Sequence, residues 1–219
     1  MRDTNTCPHC RQRNRIEDVC CSYCRQAIIL PADGSITIWR IGVVREGLVG
    51  ILARAVSDAF HVPCVIQPGL MDERPSLRPD WNGISANIFL KQTLNRHRNR
   101  EVAALGITEK NIVPSADYNF LFGYAYMGLP AATASIHPLA LDSPSERLLA
   151  ERLAKIALHE LGHTFGLDHH DYEDEINCLM VGDAEVDCNE EVDSGGISFC
   201  KECGEEIEKS RRLKRARAD

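Results

Sequence analysis

His159-Glu160-Leu161-Gly162-His163 sets two imidazoles four residues apart with a carboxylate between them. On a helix that spacing places His159 and His163 on one face, one turn apart. Two imidazoles so placed can hold one zinc ion, and Glu160, beside them, can reach a water that the metal activates. Gly166 follows, a residue that lets the chain leave a helix through a backbone conformation costly for other side chains. His169 can then return as a third ligand. Three neutral histidines leave zinc its full charge and an open position for water. That charge brings the pKa of the water toward roughly 7. Glu160 then takes its proton as general base and hands it to a leaving amine as general acid. The chemistry is hydrolysis of a peptide bond. The competing explanations are a His-rich surface helix end and a zinc site that has lost activity. Retention of Glu160 argues against the second.

Ten cysteines in 219 residues are a second source of chemistry. Three CxxC pairs stand out: Cys7–Cys10, Cys21–Cys24 and Cys200–Cys203. The opening residues MRDTNTCPHC contain no apolar secretory core, so a cytoplasmic, reducing location is expected. There, thiols stay free and paired spacing favours metal over disulfides. Cys7, Cys10, Cys21 and Cys24 read as a small zinc ribbon or rubredoxin-like knuckle holding a structural zinc. Such a module folds only with its metal bound. Cys20 is the spare, because a register that uses it loses the CxxC geometry. Cys64 reads as a buried apolar residue.

Something must position the histidines. The pattern through 143–166 predicts one long helix, with Ser143 as N-cap, Pro144 in the first turn and Glu146 closing a capping box. Leu149, Leu153, Ile156 and Ala157 form its apolar stripe, and Gly166 ends it. Upstream, strands are expected over 36–44, 62–67, 102–108, 119–125 and 131–137, and helices over 48–60 and 86–99. This order predicts an α/β (α+β) fold, a mixed sheet covered by helices. A zinc-ribbon-like module and linker over 1–34 would precede a catalytic domain over 35–210 and a basic tail over 211–219.

Composition removes other classes. A hydrophobic fraction of 44% and a charged fraction of 26% are ordinary for a folded soluble domain. A formal net charge of -7 argues against the whole chain being an electrostatic nucleic-acid binder. The uncharged stretch 118–141 is broken by Gly123, Gly128 and Pro130 and reads as buried strands, so no membrane span is expected.

HExxHxxGxxH followed by a methionine, here Met180, is the metzincin signature. Cys178-Leu179-Met180 with a later CxxC resembles the archaemetzincins, as do 38–44, LGIT at 105–108, NFLFGYA at 119–125 and HTFGLDH at 163–169. The resemblance covers 36–209. It implies a metzincin-like twisted sheet behind an active-site helix, a Met-turn at Met180, and a zinc metallopeptidase acting on peptide or protein substrates. It also makes 131–137 the antiparallel edge strand that pairs with an extended peptide. Aminopeptidase character comes with the resemblance, yet no residue announces an amino-terminus anchor, so exo- and endo-action stay open.

The resemblance further implies a second, structural zinc held by four cysteines. Here His170 stands at the first of those positions, with seven residues between it and Cys178, a longer gap than the family pattern. His170, Cys178, Cys200 and Cys203 form the proposed shell, a normal composition for structural zinc. Cys188 is the alternative to His170. The cofactor expectation is zinc, one catalytic ion and one or two structural ones.

Charge is segregated. The span 168–208 holds 15 acidic residues and one basic, and 209–219 holds six basic and one acidic. Pairs Glu205–Lys209 and Glu208–Arg212 predict a terminal helix after Cys203. Its basic end is read as a solvated helix terminus in preference to a nucleic-acid contact, and Arg11, Arg13 and Arg15 are read the same way. The alternative function is a catalytically weak multi-zinc scaffold that binds nucleic acid or a partner. Oligomeric state is not legible.

Overall fold

The computed structural model describes residues 4–6, 13–15, 34–71, 74, 77–78, 81–97, 101–142, 144–171, 177–182 and 188–216. Cys7, Cys10, Cys21 and Cys24 of the expected knuckle lie outside them. Near the N-terminus, β1 (Thr4–Thr6) and β2 (Arg13–Arg15) pair antiparallel, Thr4 opposite Arg15.

Further along the chain come β3 (Ile36–Ile41), α1 (Glu46–Phe60) and β4 (Cys64–Met71). Then come β5 (Ile84–Ser85), α2 (Ala86–Leu94), β6 (Ala103–Thr108), β7 (Ile112–Val113), β8 (Gly123–Ala125) and β9 (Ala131–Ser135). The long α3 (Glu146–Thr164), the short α4 (Asn189–Ser194) and α5 (Lys201–Ala216) follow. The main sheet has the order β4-β3-β6-β9-β8. Its first four strands are parallel, and β8 runs antiparallel to β9.

Alternation along the strands sends side chains to two cores. Ile36 and Ile38 of β3 and Ala103, Leu105 and Ile107 of β6 face a large core closed by α1 and α3. Trp39 and Ile41 of β3 and Ala104 of β6 face a smaller one that Phe89 of α2 fills. Both faces of the parallel strands are covered, so these strands read as near-continuous apolar runs. No helix among the described residues is long and apolar enough to cross a membrane.

The strand order corrects one expectation. The segment 131–137 is not the sheet edge: β9 sits between β6 and β8, and β8 is the antiparallel edge strand. Every residue of β9 is buried, a run of small residues (Ala131, Ala132, Thr133, Ala134, Ser135) that lets α2 and α3 close on its two faces.

The start of α3 also differs. Ser143 lies outside the described residues, and the cap is made by Ser145, whose hydroxyl accepts the Leu148 N–H at 3.2 Å. Pro144 precedes the helix. At the other end, Gly166 takes φ +93°, as the exit from the helix requires.

α5 runs on through residues 211–216, so the basic stretch extends that helix. Among the described residues its ion pairs are Lys201–Glu205, Lys209–Glu206 and Arg211–Glu208, in place of Glu205–Lys209 and Glu208–Arg212. The Arg211 guanidinium also donates to the His61 carbonyl at 2.8 Å, tying α5 to the end of α1.

Candidate metal centre and its cleft

α3 carries His159 and His163 one turn apart and half-buried, while Leu149, Leu153, Ala157 and Leu161 are buried in the large core. The chain then reverses at Gly166 and brings His169 back. The Nε2 atoms of His159 and His169 lie 3.0 Å apart, and those of His163 and His159 3.2 Å apart. The three form one group whose ligand atoms lie within 4.8 Å of one another.

The other ring nitrogens decide what these Nε2 atoms are. His159 donates its Nδ1–H to the Leu179 carbonyl at 2.8 Å, and His163 donates its Nδ1–H to the Leu167 carbonyl at 2.8 Å. Each neutral ring therefore presents a bare lone pair at Nε2. Lone pairs facing one another at hydrogen-bond distance repel unless a cation sits among them. Burial holds the His159 imidazole down to about 4, helped by the neighbouring His163 and His169, so protonation does not supply that cation. Burial likewise lowers His163. The residues present fit a divalent metal ion.

Glu160, next to His159 on the helix and lining the same cleft, lies against the edge strand. A Cβ built on Gly123 of β8 would lie 2.5 Å from Glu160 Oε1 and 2.7 Å from its carboxyl carbon. The absent side chain at 123 is the space in which this carboxylate sits. Packing around it pushes the Glu160 carboxyl up to about 8. A cation held by the adjacent histidines would favour its charged form and draw that value back down.

The cleft in front of these groups measures about 760 Å³. Phe122, with Gly123 and Tyr124 of the edge strand, lines it, as do Leu179 and Val181. Glu191, Val192, Ser194, Gly195 and Gly196, from α4 and the turn after it, form its lip. Tyr124 and Tyr126 share Asn87 of α2 as acceptor, at 3.3 and 2.8 Å, and their hydroxyls lie 2.9 Å apart. Burial, with Tyr126 beside it, pushes the Tyr124 phenol up to about 12, so it remains a donor across the neutral range.

The lip is fastened from α3. Arg152 is 3% exposed and makes paired hydrogen bonds to Asp193 (2.8 and 2.7 Å) and to Asp142 (2.6 and 2.8 Å). One turn along, Lys155 donates to the carbonyls of Val192, Asp193 and Gly195 at 2.8–2.9 Å. Sequence reading missed both cations and also Gly123. An arginine inside the apolar stripe of α3 was the available signal for the first. The others depend on contacts distant in the chain.

Met180 is fully buried beneath α3. A Cβ on Gly162, inside the His-Glu-x-x-His run, would lie 2.7 Å from its sulfur. The helix can pass this close to Met180 because residue 162 has no side chain.

The second group assembles directly behind. His170 Nε2 lies 3.2 Å from Cys203 Sγ and 3.5 Å from Cys200 Sγ, and Cys178 Sγ is 3.8 Å from Cys203 Sγ. These four form one cluster with ligand atoms within 4.8 Å, and Cys188 is not part of it. Backbone N–H groups of Cys200 and Met180 donate to Cys178 Sγ at 3.2 and 3.4 Å. Burial raises the Cys200 thiol, but hydrogen bonds from Cys203, His170 and Cys178 outweigh it and bring it down to about 7. Donors aimed at sulfur, with an imidazole beside them, suit a thiolate metal shell.

The peptidase family M54 model matches residues 90–209, which carry both clusters. The chain is 34% identical to the archaemetzincin of Pyrococcus furiosus over 114 residues, 50% of this chain and 55% of that one. It is 37% identical to the archaemetzincin of Archaeoglobus fulgidus over 103 residues, 47% of this chain and 58% of that one. The chain thus spans a little over half the length of these curated relatives. The crystal structure of the Archaeoglobus fulgidus archaemetzincin complexed with malonate aligns at a TM-score of 0.64 and 26% identity, over 78% of this chain and 99% of that one. With the family model matched over more than half of its residues, the chain belongs to the archaemetzincins, peptidase family M54.

Proposed function

We propose that this chain is a zinc-dependent peptidase in which His159, His163 and His169 hold the metal and Glu160 is general base and general acid. The observation that carries this reading is the convergence of three Nε2 atoms, with His159 3.0 Å from His169 and 3.2 Å from His163, while the ring N–H groups of His159 and His163 are spent on backbone carbonyls. Zinc held there would supply Lewis acidity, polarising a carbonyl and making water nucleophilic near neutral pH.

The chain's own residues supply the rest. The outer edge of β8 offers unpaired backbone N–H and C=O groups to an extended peptide, which it would take up as an added strand. Gly123 keeps that edge low where it passes Glu160, so a peptide backbone can come close to the carboxylate. Glu160 accepts a proton from the attacking water and returns it to the departing nitrogen.

His170, Cys178, Cys200 and Cys203 are the ligands we assign to a structural zinc, supported by their clustering. Cys7, Cys10, Cys21 and Cys24 are assigned to a further one on their spacing alone. A reducing, cytoplasmic location fits seven of the ten cysteines serving as zinc ligands.

Hydrolysis of a fluorogenic peptide library by the zinc-loaded chain and by Glu160→Gln tests the reading. The variant should keep its zinc and lose about 10²–10⁴-fold in rate, the usual worth of a positioned acid–base group. A wild-type rate in the variant overturns it. N-acetylated peptides in the same library separate aminopeptidase from endopeptidase action.

A further inference from the structure

The two clusters hang on one stretch of chain. His169 of the first is followed directly by His170 of the second. Cys178 of the second is followed by Leu179, whose carbonyl orients His159, and then by Met180. The His170 N–H donates to the Met180 carbonyl at 2.8 Å, and the Gly182 N–H donates to the His170 carbonyl at 3.3 Å. Leu179 is held from the far side, its N–H donating to the Ser198 carbonyl at 2.9 Å. Gly196 packs so closely on Cys178 that a Cβ there would lie 2.6 Å from the Cys178 carbonyl oxygen.

We propose that His170 is a positioning residue for the three-histidine site: by closing a zinc shell with Cys178, Cys200 and Cys203, it fixes His169 and the Leu179 carbonyl, and so sets how tightly the first site holds its metal. The proposal rests on the peptidase reading of that first site. Three sulfurs and an imidazole nitrogen lie within 4.8 Å of one another, and a cation bound among them would hold all four at fixed separations. Adjacent Cα atoms are a fixed distance apart, so displacement of His170 is passed to His169. Displacement of Cys178 is passed to Leu179, and the His159 ring loses the acceptor that fixes its orientation. An outer partner that orients a metal-bound histidine is worth roughly 10–100-fold in metal affinity. Filling the second site favours the arrangement that the first requires, and linkage makes the effect reciprocal.

The test uses the full-length chain, zinc as the probe and a graded chelator series, with zinc per chain measured by elemental analysis. The ion missing from His163→Ala identifies the first site, and the ion missing from Cys200→Ser identifies the second. In His170→Ala with native circular dichroism, the first-site ion should leave at about 5–150-fold lower chelator strength than in wild type, the usual span of coupling between sites. His170→Cys, which restores a fourth ligand, should return it to the wild-type value. The reciprocal arm leaves the second cluster intact: His163→Ala should weaken the second-site ion by the same factor. Wild-type retention of the first-site ion in His170→Ala, or of the second-site ion in His163→Ala, overturns the proposal. If His163→Ala loses no ion at all, the peptidase reading falls and takes the proposal with it. If it loses one ion and shows no coupling, the proposal falls alone.

Discussion

Gly123 on the edge strand and Glu160 on the metal-binding helix occupy one another's space: where a Cβ at 123 would stand, the Glu160 side chain passes. The contact joins the element that would receive a peptide to the group that would move its proton. It is also a sharp point of failure, because a single methyl group suffices to displace the carboxylate.

Gly123→Ala should therefore separate stability from turnover. A glutamate side chain can swing aside, and alanine stabilises by roughly 0.4–1 kcal/mol through the unfolded chain, so the melting temperature should hold. Displacing a reacting group by about 1 Å costs on the order of 10²-fold in rate. Peptide hydrolysis should fall by about that much with zinc content unchanged. A variant as active as wild type would show that Glu160 is not held by this contact.

Lys155 makes a prediction about substrate binding. It satisfies three carbonyls of the lip at 2.8–2.9 Å, and Lys155→Met removes all three donors while keeping the apolar stem. Freed of these bonds, the lip should no longer hold one position against the peptide. KM should rise several-fold with kcat nearly unchanged, as for loss of binding common to ground and transition states. A fall in kcat at constant KM would place Lys155 in the chemistry instead.

Arg152 governs the acid limb of stability. Its hydrogen bonds hold the Asp142 and Asp193 carboxyls below their ordinary range. Folded-state values below the unfolded value mean that the stabilisation is fully present above an unfolded pKa of about 3.9 and is lost as pH falls through the lower folded values. Melting temperatures followed from about pH 6 down to about pH 2.5 should fall more steeply in wild type than in Arg152→Met. Parallel curves would show that the two ion pairs contribute nothing to the acid limb.

What was legible in the sequence was local. His159, Glu160, His163 and Gly166 are related by helix periodicity and by one backbone conformation, and both are written into their spacing. The long α3 showed in its apolar stripe, though its cap sits at Ser145 because a proline between two serines leaves either available. Sheet order is different in kind. It depends on which strands pair across the whole domain, and the resemblance placed 131–137 at an edge that belongs to Gly123–Ala125. Gly162 over Met180 and Gly123 against Glu160 are contacts between segments well apart in the chain, and a lone glycine in a sequence does not announce its partner. The pairing of Arg152 with Asp142 and Asp193 was hidden for the same reason, inside a helix whose stripe otherwise explained itself.

The central claim is that three histidines converge to hold a metal. Zinc per chain, measured by elemental analysis on wild type and on His163→Ala purified side by side, tests it most directly. The account predicts one zinc ion fewer in the variant, with its circular dichroism unchanged. Equal zinc in the two proteins would contradict it.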